Sequence, residues 1–211
     1  MNMNIWGVVP VKPLNRAKSR LSSILEPERR EALAVGMMIR VLEVLTHVPS
    51  LHGVLVISRD MKALAKAREI SGVQTLQESG TPELNHALQR ASRMLISWGA
   101  EGTLILPADV PLVSVEDVEA MIALGGAAPT IVIAPDRHQD GTNAMFTRPP
   151  DIIELGFGTG SYRQHVLAAK RVGATVQVYE SERLSLDIDV PDDLVAYQEL
   201  AQKLGEQLVL F

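Results

Sequence analysis

Apolar runs of strand length alternate with segments of helical period along the whole 211-residue chain, and that alternation restricts the fold more than any other feature. It is the pattern of an α/β protein, a mostly parallel sheet with helices on both faces. The first strand is expected at residues 5–10. A helix follows from near Pro27, whose fixed φ suits a first helical position, and carries Leu33, Met37, Val41, Val44, Leu45 and Val48 on one stripe before Pro49. Strands are expected at 53–58 and 73–76, with helices over 60–70 and from about Pro82 to Trp98. A fourth strand is expected to end at Asp109, and Ser114 with Asp117 has the spacing of a helix cap and its acidic partner. From Thr130 the rhythm changes. Residues 130–134 and 142–147 read as two strands joined by a polar loop, so an antiparallel element is expected inside the parallel sheet. A helix near 160–171, a strand at 174–179 and a last helix from Pro191 complete a single domain spanning 1–211, large enough to bury roughly 70% of its unfolded surface.

Chemistry concentrates where strands end. Asp109 closes an apolar run before Pro111, and Asp187 and Asp189 lie in Leu186-Asp-Ile-Asp-Val-Pro191. An acid at the carboxyl end of a strand stands where open α/β sheets bind ligands. Residues two apart on a strand share a face, so Asp187 and Asp189 converge while Leu186, Ile188 and Val190 turn to the packed side. Three convergent carboxylates suit a hard cation such as Mg2+ that shares oxygens with substrate phosphates; the alternative is that Asp109 starts a turn and Asp189 caps the helix at Pro191. After the first strand comes a loop with four positive charges, Lys12, Arg16, Lys18 and Arg20, and no glycine. Walker and dinucleotide loops need glycine, so here side-chain cations would have to meet a phosphate; otherwise the loop is a solvated basic surface. Gly156-Phe-Gly158-Thr-Gly160-Ser161 precedes a helix and can offer backbone N–H groups to an anion, or serve only as a turn. Asp140-Gly141-Thr142-Asn143 reads either as a hairpin turn or as a polar substrate wall.

Several classes are excluded or disfavoured. With no cysteine there is no disulfide, thiolate metal site or thiol nucleophile. A net charge of −5 and eight aromatic side chains argue against nucleic-acid binding. No apolar run approaches a membrane span and no secretory leader is evident, so a cytoplasmic protein is expected. Asp136, His138 and Asp140 read as a polar loop rather than a metal site, the other histidines are scattered, and no Gly-x-Ser-x-Gly occurs.

Pro10-Val-Lys12, Ala17-Lys18-Ser19-Arg20-Leu21, Leu84-Asn85-x-Ala87-Leu88, Pro107-Ala-Asp109-Val-Pro111, Asp140-Gly141-Thr142-Asn143, Phe157-Gly158-x-Gly160-Ser161 and Asp187-Ile-Asp189 occur in an order and over a span that resemble the 2-phospho-L-lactate and phosphoenolpyruvate guanylyltransferases of coenzyme F-420 biosynthesis. The resemblance implies a nucleotide-diphospho-sugar transferase (Rossmann-like) fold, GTP as donor, Mg2+ as cofactor and release of pyrophosphate. It also implies metal ligation by Asp109, Asp187 and Asp189, nucleotide contacts from Lys12, Lys18, Arg20, Leu84 and Asn85, with Lys12, Arg20 and Asp109 acting catalytically. Thr142, Gly158 and Ser161 would bind the phospho-acid, which is phosphoenolpyruvate, 2-phospho-L-lactate or 3-phospho-D-glycerate. A homodimer and hand-over of the product to the next enzyme are implied as well. Glu83 stands where the family usually has glycine. The rivals are a nucleotidyltransferase that activates a sugar phosphate and a non-catalytic nucleotide-binding domain.

Overall fold

Seven strands form one sheet in the order β3-β2-β1-β4-β6-β5-β7, with only β6 antiparallel to its neighbours. The computed structural model describes residues 3–79 and 83–209. In chain order the elements are β1 (Ile5–Val11), α1 (Pro27–Thr46), β2 (Gly53–Ser58), α2 (Met61–Arg68), β3 (Val73–Gln77), α3 (Leu84–Ser97), β4 (Gly102–Ile105), α4 (Val115–Leu124), β5 (Thr130–Pro135), β6 (Thr142–Arg148), α5 (Ser161–Arg171), β7 (Thr175–Val178) and α6 (Pro191–Leu204). The expected antiparallel strand is therefore β6, inserted between β4 and β5. The expected start of α3 at Pro82 lies outside the described residues.

Alternation along β1 decides which helices cover which face. Ile5, Val9 and Val11 pack with α1, α2 and α4 on one side. Trp6 and Val8 pack with α3 and α5 on the other. The expected stripe of α1 is buried throughout, with Leu33, Met37, Val41, Val44, Leu45 and Val48 all under 9% exposed. A third apolar cluster seats α6 on α1 through Leu33, Met37, Leu194 and Tyr197, and takes in Leu186 and Ile188. Ser114 and Asp117 form the expected capping box at the start of α4.

Two expectations about strand ends need correction. β4 stops at Ile105, not Asp109: Leu106 N–H still reaches Val8 O at 3.0 Å, but Pro107 has no N–H to continue the ladder. Residues 186–190 are extended but are not a strand. Leu186 and Ile188 are buried as the alternation predicts, yet β4 has already ended, and a backbone bond from Ile188 N–H to Asp109 O at 3.1 Å joins the two acidic segments. Val190 is only partly buried.

Strand order supplies the crevice. From β1 the chain steps outward to β2 and β3, then returns to place β4 on the other side of β1, so the sheet reverses direction between β1 and β4. The basic loop leaves β1 and Asp109 follows β4 at the same end. Ligands bind open α/β sheets at such a reversal.

Candidate active site

The glycine-free loop after β1 is shaped by apolar anchors. Leu14, Ala17 and Leu21 are buried, two short 3-10 turns run through Leu14–Arg16 and Ser19–Leu21, and Asp60 accepts the Leu14 N–H at 2.7 Å. Lys12, Arg16 and Arg20 are left exposed. Lys18 is different. It takes a left-handed backbone, φ +53°, and its side chain, 7% exposed, is carried inward to Asp109 Oδ2 at 2.7 Å and Asp189 Oδ1 at 3.0 Å. Arg20 flanks Asp189 at 3.8 Å.

Opposed effects set the charges. Burial pushes the Asp109 carboxyl up, but the Lys18 ammonium, with help from Lys12, outweighs it and holds Asp109 below the usual range. Burial pushes Lys18 down, yet the two carboxylates raise it above an ordinary lysine. Both stay ionised. Asp187 is raised by burial and by the charges of Asp109 and Asp189, which outweigh the Asn143 hydrogen bond and a backbone hydrogen bond that oppose them. Asn143 Nδ2 donates to Asp187 Oδ1 at 3.2 Å and to Leu184 O at 3.0 Å. Asp193, in the first turn of α6, accepts the N–H groups of Asp189 and Val190 at 2.7 Å each and pairs with Arg137. It is Asp193, not Asp189, that reaches back to close the start of α6.

Lys18 bridges two of the predicted acids, Asp109 and Asp189, while Asp187 feels the charge of both and is hydrogen-bonded by Asn143. Among the described residues no three acid or histidine side chains gather closely enough to hold an ion by themselves. The donor set still fits a hard divalent cation. Each carboxylate has about four acceptor positions, of which the Lys18 and Asn143 hydrogen bonds fill only some.

A second polar cluster lies one residue away along β6. Asn143 serves the acids, while Thr142, pointing to the other face, meets Ser161 Oγ at 3.3 Å and His165 Nδ1 at 3.1 Å. The glycine segment wraps this cluster. Gly160 N–H donates to Asp140 Oδ2 and Tyr162 N–H to Asp140 O, both at 3.0 Å, so Gly160 does not offer its N–H to a ligand. Gly158 and Thr159 are the positions whose N–H groups have no partner among the described residues. Gly158 has φ +136°, which a side chain rarely tolerates although the space beside it is open. Asp136 accepts the N–H groups of His138, Asp140 and Gly141, making the 136–141 segment a turn, and a Cβ on Gly141 would stand 2.9 Å from that carboxylate. Asn85 clasps the backbone of Phe157, donating to its O at 3.3 Å and accepting from its N at 2.8 Å. Glu83 pairs with His86 at the surface, and Leu84 beside it is exposed.

Residues 5–199 match the family model described as guanylyl transferase CofC like. The chain belongs to that family. It is 41% identical over 197 residues to the phosphoenolpyruvate guanylyltransferase of Rubrobacter xylanophilus, covering 91% of this chain and 92% of that one. It is 36% identical over 193 residues to the 2-phospho-L-lactate guanylyltransferase of Methanothermobacter thermautotrophicus, covering 91% and 83%. In fold it is similar to a nucleotidyl transferase from Methanothermobacter thermautotrophicus, with a TM-score of 0.69, 15% identity and coverage of 97% and 100%. It is similar as well to 4-diphosphocytidyl-2C-methyl-D-erythritol synthase from Anaerococcus prevotii, with a TM-score of 0.65, 10% identity and coverage of 94% and 96%. These likenesses settle the expected nucleotidyltransferase fold.

In this guanylyl transferase the sequence pattern located Asp109, Asp187, Asp189, Lys18, Thr142 and Ser161, which the fold gathers. It missed His165, Asp193 and Arg137. His165 had a signal, since it follows Ser161 by four positions on a helix and so shares its face. Asp193 and Arg137 had none, because the hairpin loop and α6 meet only in the folded molecule.

Proposed function

We propose that this protein transfers GMP from GTP to the phosphate of a small phospho-carboxylic acid, phosphoenolpyruvate before 2-phospho-L-lactate or 3-phospho-D-glycerate, within coenzyme F-420 biosynthesis. Support comes from the family match and from relatives bearing the first two activities. One structural observation carries the reading. Neighbouring residues of β6 join an acidic, lysine-bridged cluster to a hydroxyl and N–H cluster, giving adjacent sites for a charge-rich triphosphate and a carboxylate.

Lys12 and Arg20, exposed at the mouth, bind the triphosphate, and Lys18 orders Asp109 and Asp189 beneath it. Thr142, Ser161 and the Gly158 N–H hold the acceptor's carboxylate, leaving its phosphate directed toward the acids. An acceptor phosphate oxygen attacks the α-phosphorus of GTP, the bond to the bridging oxygen breaks, and pyrophosphate leaves with that electron pair. No side chain forms a covalent intermediate. Asp109, Asp187 and Asp189 are the residues that would hold Mg2+, which when bound neutralises charge on the transferring phosphorus. Leu84 contacts the nucleoside, while Asn85 acts by fixing Phe157.

The test is pyrophosphate release with each of the three acids crossed against GTP, CTP and ATP, with Mg2+ or with a chelator. Release with GTP and one acid, abolished by chelator, is expected. No release with GTP and any of the three would overturn the assignment, and turnover that survives chelation would remove the metal from it.

A further inference from the structure

His165 lies inside the protein, 1% exposed, under the proposed acceptor site. Gly156 N–H stands 3.0 Å from its Nε2. A backbone N–H can only donate, so Nε2 must be bare. Burial lowers the imidazole pKa to about 4, so the ring is neutral near pH 7 and its one proton sits on Nδ1. That proton faces Thr142 Oγ1 at 3.1 Å, which therefore accepts from His165 and, at 3.3 Å, from Ser161 as well. Both lone pairs of the Thr142 oxygen are used, and its own hydrogen has no acceptor among the described residues.

The other tautomer would reverse this. A bare Nδ1 would draw the Thr142 hydrogen inward and leave an oxygen lone pair facing the ligand, where a carboxylate would be repelled. The Gly156 N–H opposes that tautomer, because a proton on Nε2 would face it, and Phe157, whose ring meets the imidazole edge-on at 4.9 Å and 64° and whose backbone is clasped by Asn85, opposes the ring flip that would exchange the two nitrogens. We infer that His165 is the positioning residue of the acceptor subsite: its Nδ1–H turns the Thr142 hydroxyl into a fixed donor toward the carboxylate of the phospho-acid. The inference rests on the proposed acceptor site, and it extends that site to a residue that does not touch the substrate.

Two substitutions separate the roles of the two ring nitrogens. In His165→Asn an amide nitrogen can stand where Nδ1 stands, but nothing reaches Gly156; in His165→Gln the amide reaches the Nε2 position and leaves Thr142 without its donor. Loss of one hydrogen bond to a charged group corresponds to a change on the order of 10-fold or more. His165→Gln should therefore raise the acceptor KM by about that factor while the GTP KM stays within about 2-fold, and His165→Asn should keep the acceptor KM within about 3-fold. Thermal melting of both variants supplies the measure of folding damage. In the wild-type protein, nitrogen NMR of labelled histidine should show a protonated Nδ1 and a bare Nε2. A proton on Nε2, or equal rises in acceptor KM for the two variants, would overturn the inference. Absence of any wild-type turnover would instead count against the proposed reaction, and the NMR measurement would still decide the tautomer.

Discussion

Replacing Lys18 by methionine tests the centre of the site most directly. Methionine keeps a long unbranched stem but removes an ammonium held at 2.7 and 3.0 Å from two carboxylates. At an effective dielectric of ~20, each attraction is about 5 kcal/mol gross at ~3 Å, and desolvation of the ammonium offsets much of it. Breaking a buried pair by removing one partner costs about 3–5 kcal/mol, because the remaining charge is left uncompensated. Asp109 and Asp189 are 24% and 37% exposed, so water screens part of that loss and about 2–3 kcal/mol is expected. The left-handed backbone at residue 18 also persists, a strain of ~1 kcal/mol no longer opposed by the ion pairs. The assay is urea denaturation of both proteins across pH. Since Lys18 outweighs burial and holds Asp109 below its ordinary 3.8, the stabilisation is present above that value and disappears as pH falls through the lower folded value. Lys18 itself is raised above 10.5, so the difference between the proteins should hold through the neutral range and past that pH before it fades. A difference below about 0.5 kcal/mol at pH 7, or one that does not change through the acid range, would refute the reasoning.

Asp109→Asn should lower turnover by at least ~10²-fold at saturating Mg2+, because a neutral amide compensates less charge in the transition state; near wild-type turnover would exclude Asp109 from that role. Asp193→Ala removes the acceptor of two backbone N–H groups and the partner of Arg137, so a stability loss of about 2 kcal/mol and a fall in kcat are expected, measured by denaturation and steady-state kinetics. An unchanged kcat would show that the 187–189 segment keeps its shape without Asp193. For His165 the folded pKa of about 4 lies below the ordinary 6.5, so the unfolded chain binds more protons between those values. Wild-type stability should then fall by on the order of 3 kcal/mol as pH drops from 6.5 to 4, a slope that a His165→Asn protein would lose.

Legibility followed from how local each constraint is. The stripe of α1 and the Ser114 and Asp117 cap are encoded by spacing within a few residues, and the change of rhythm after Thr130 by a polar loop between two short apolar runs, so each was readable. The candidate groups were readable in outline for the same reason, since acids that follow or interrupt apolar runs and a basic loop after β1 mark themselves. Errors came from a proline inside an apolar run and from segments that meet only in the fold. Asp109 lies beyond β4 because Pro107 interrupts the ladder, and residues 186–190 have strand alternation with no strand left to pair. The clasp of Asn85 on Phe157, 72 positions away, likewise had no local signal.

By itself the sequence determined the layered α/β architecture, the antiparallel insertion and the set of charged and hydroxyl groups available for chemistry, because periodicity and chain-local turns encode these. Only the tertiary structure decided that Lys18 turns inward between two aspartates, that Asn143 and Thr142 serve separate clusters from neighbouring positions, and that His165 governs a hydroxyl. Those relations join groups from up to 171 residues apart, and their energies exist only once the surrounding elements have excluded water from between them.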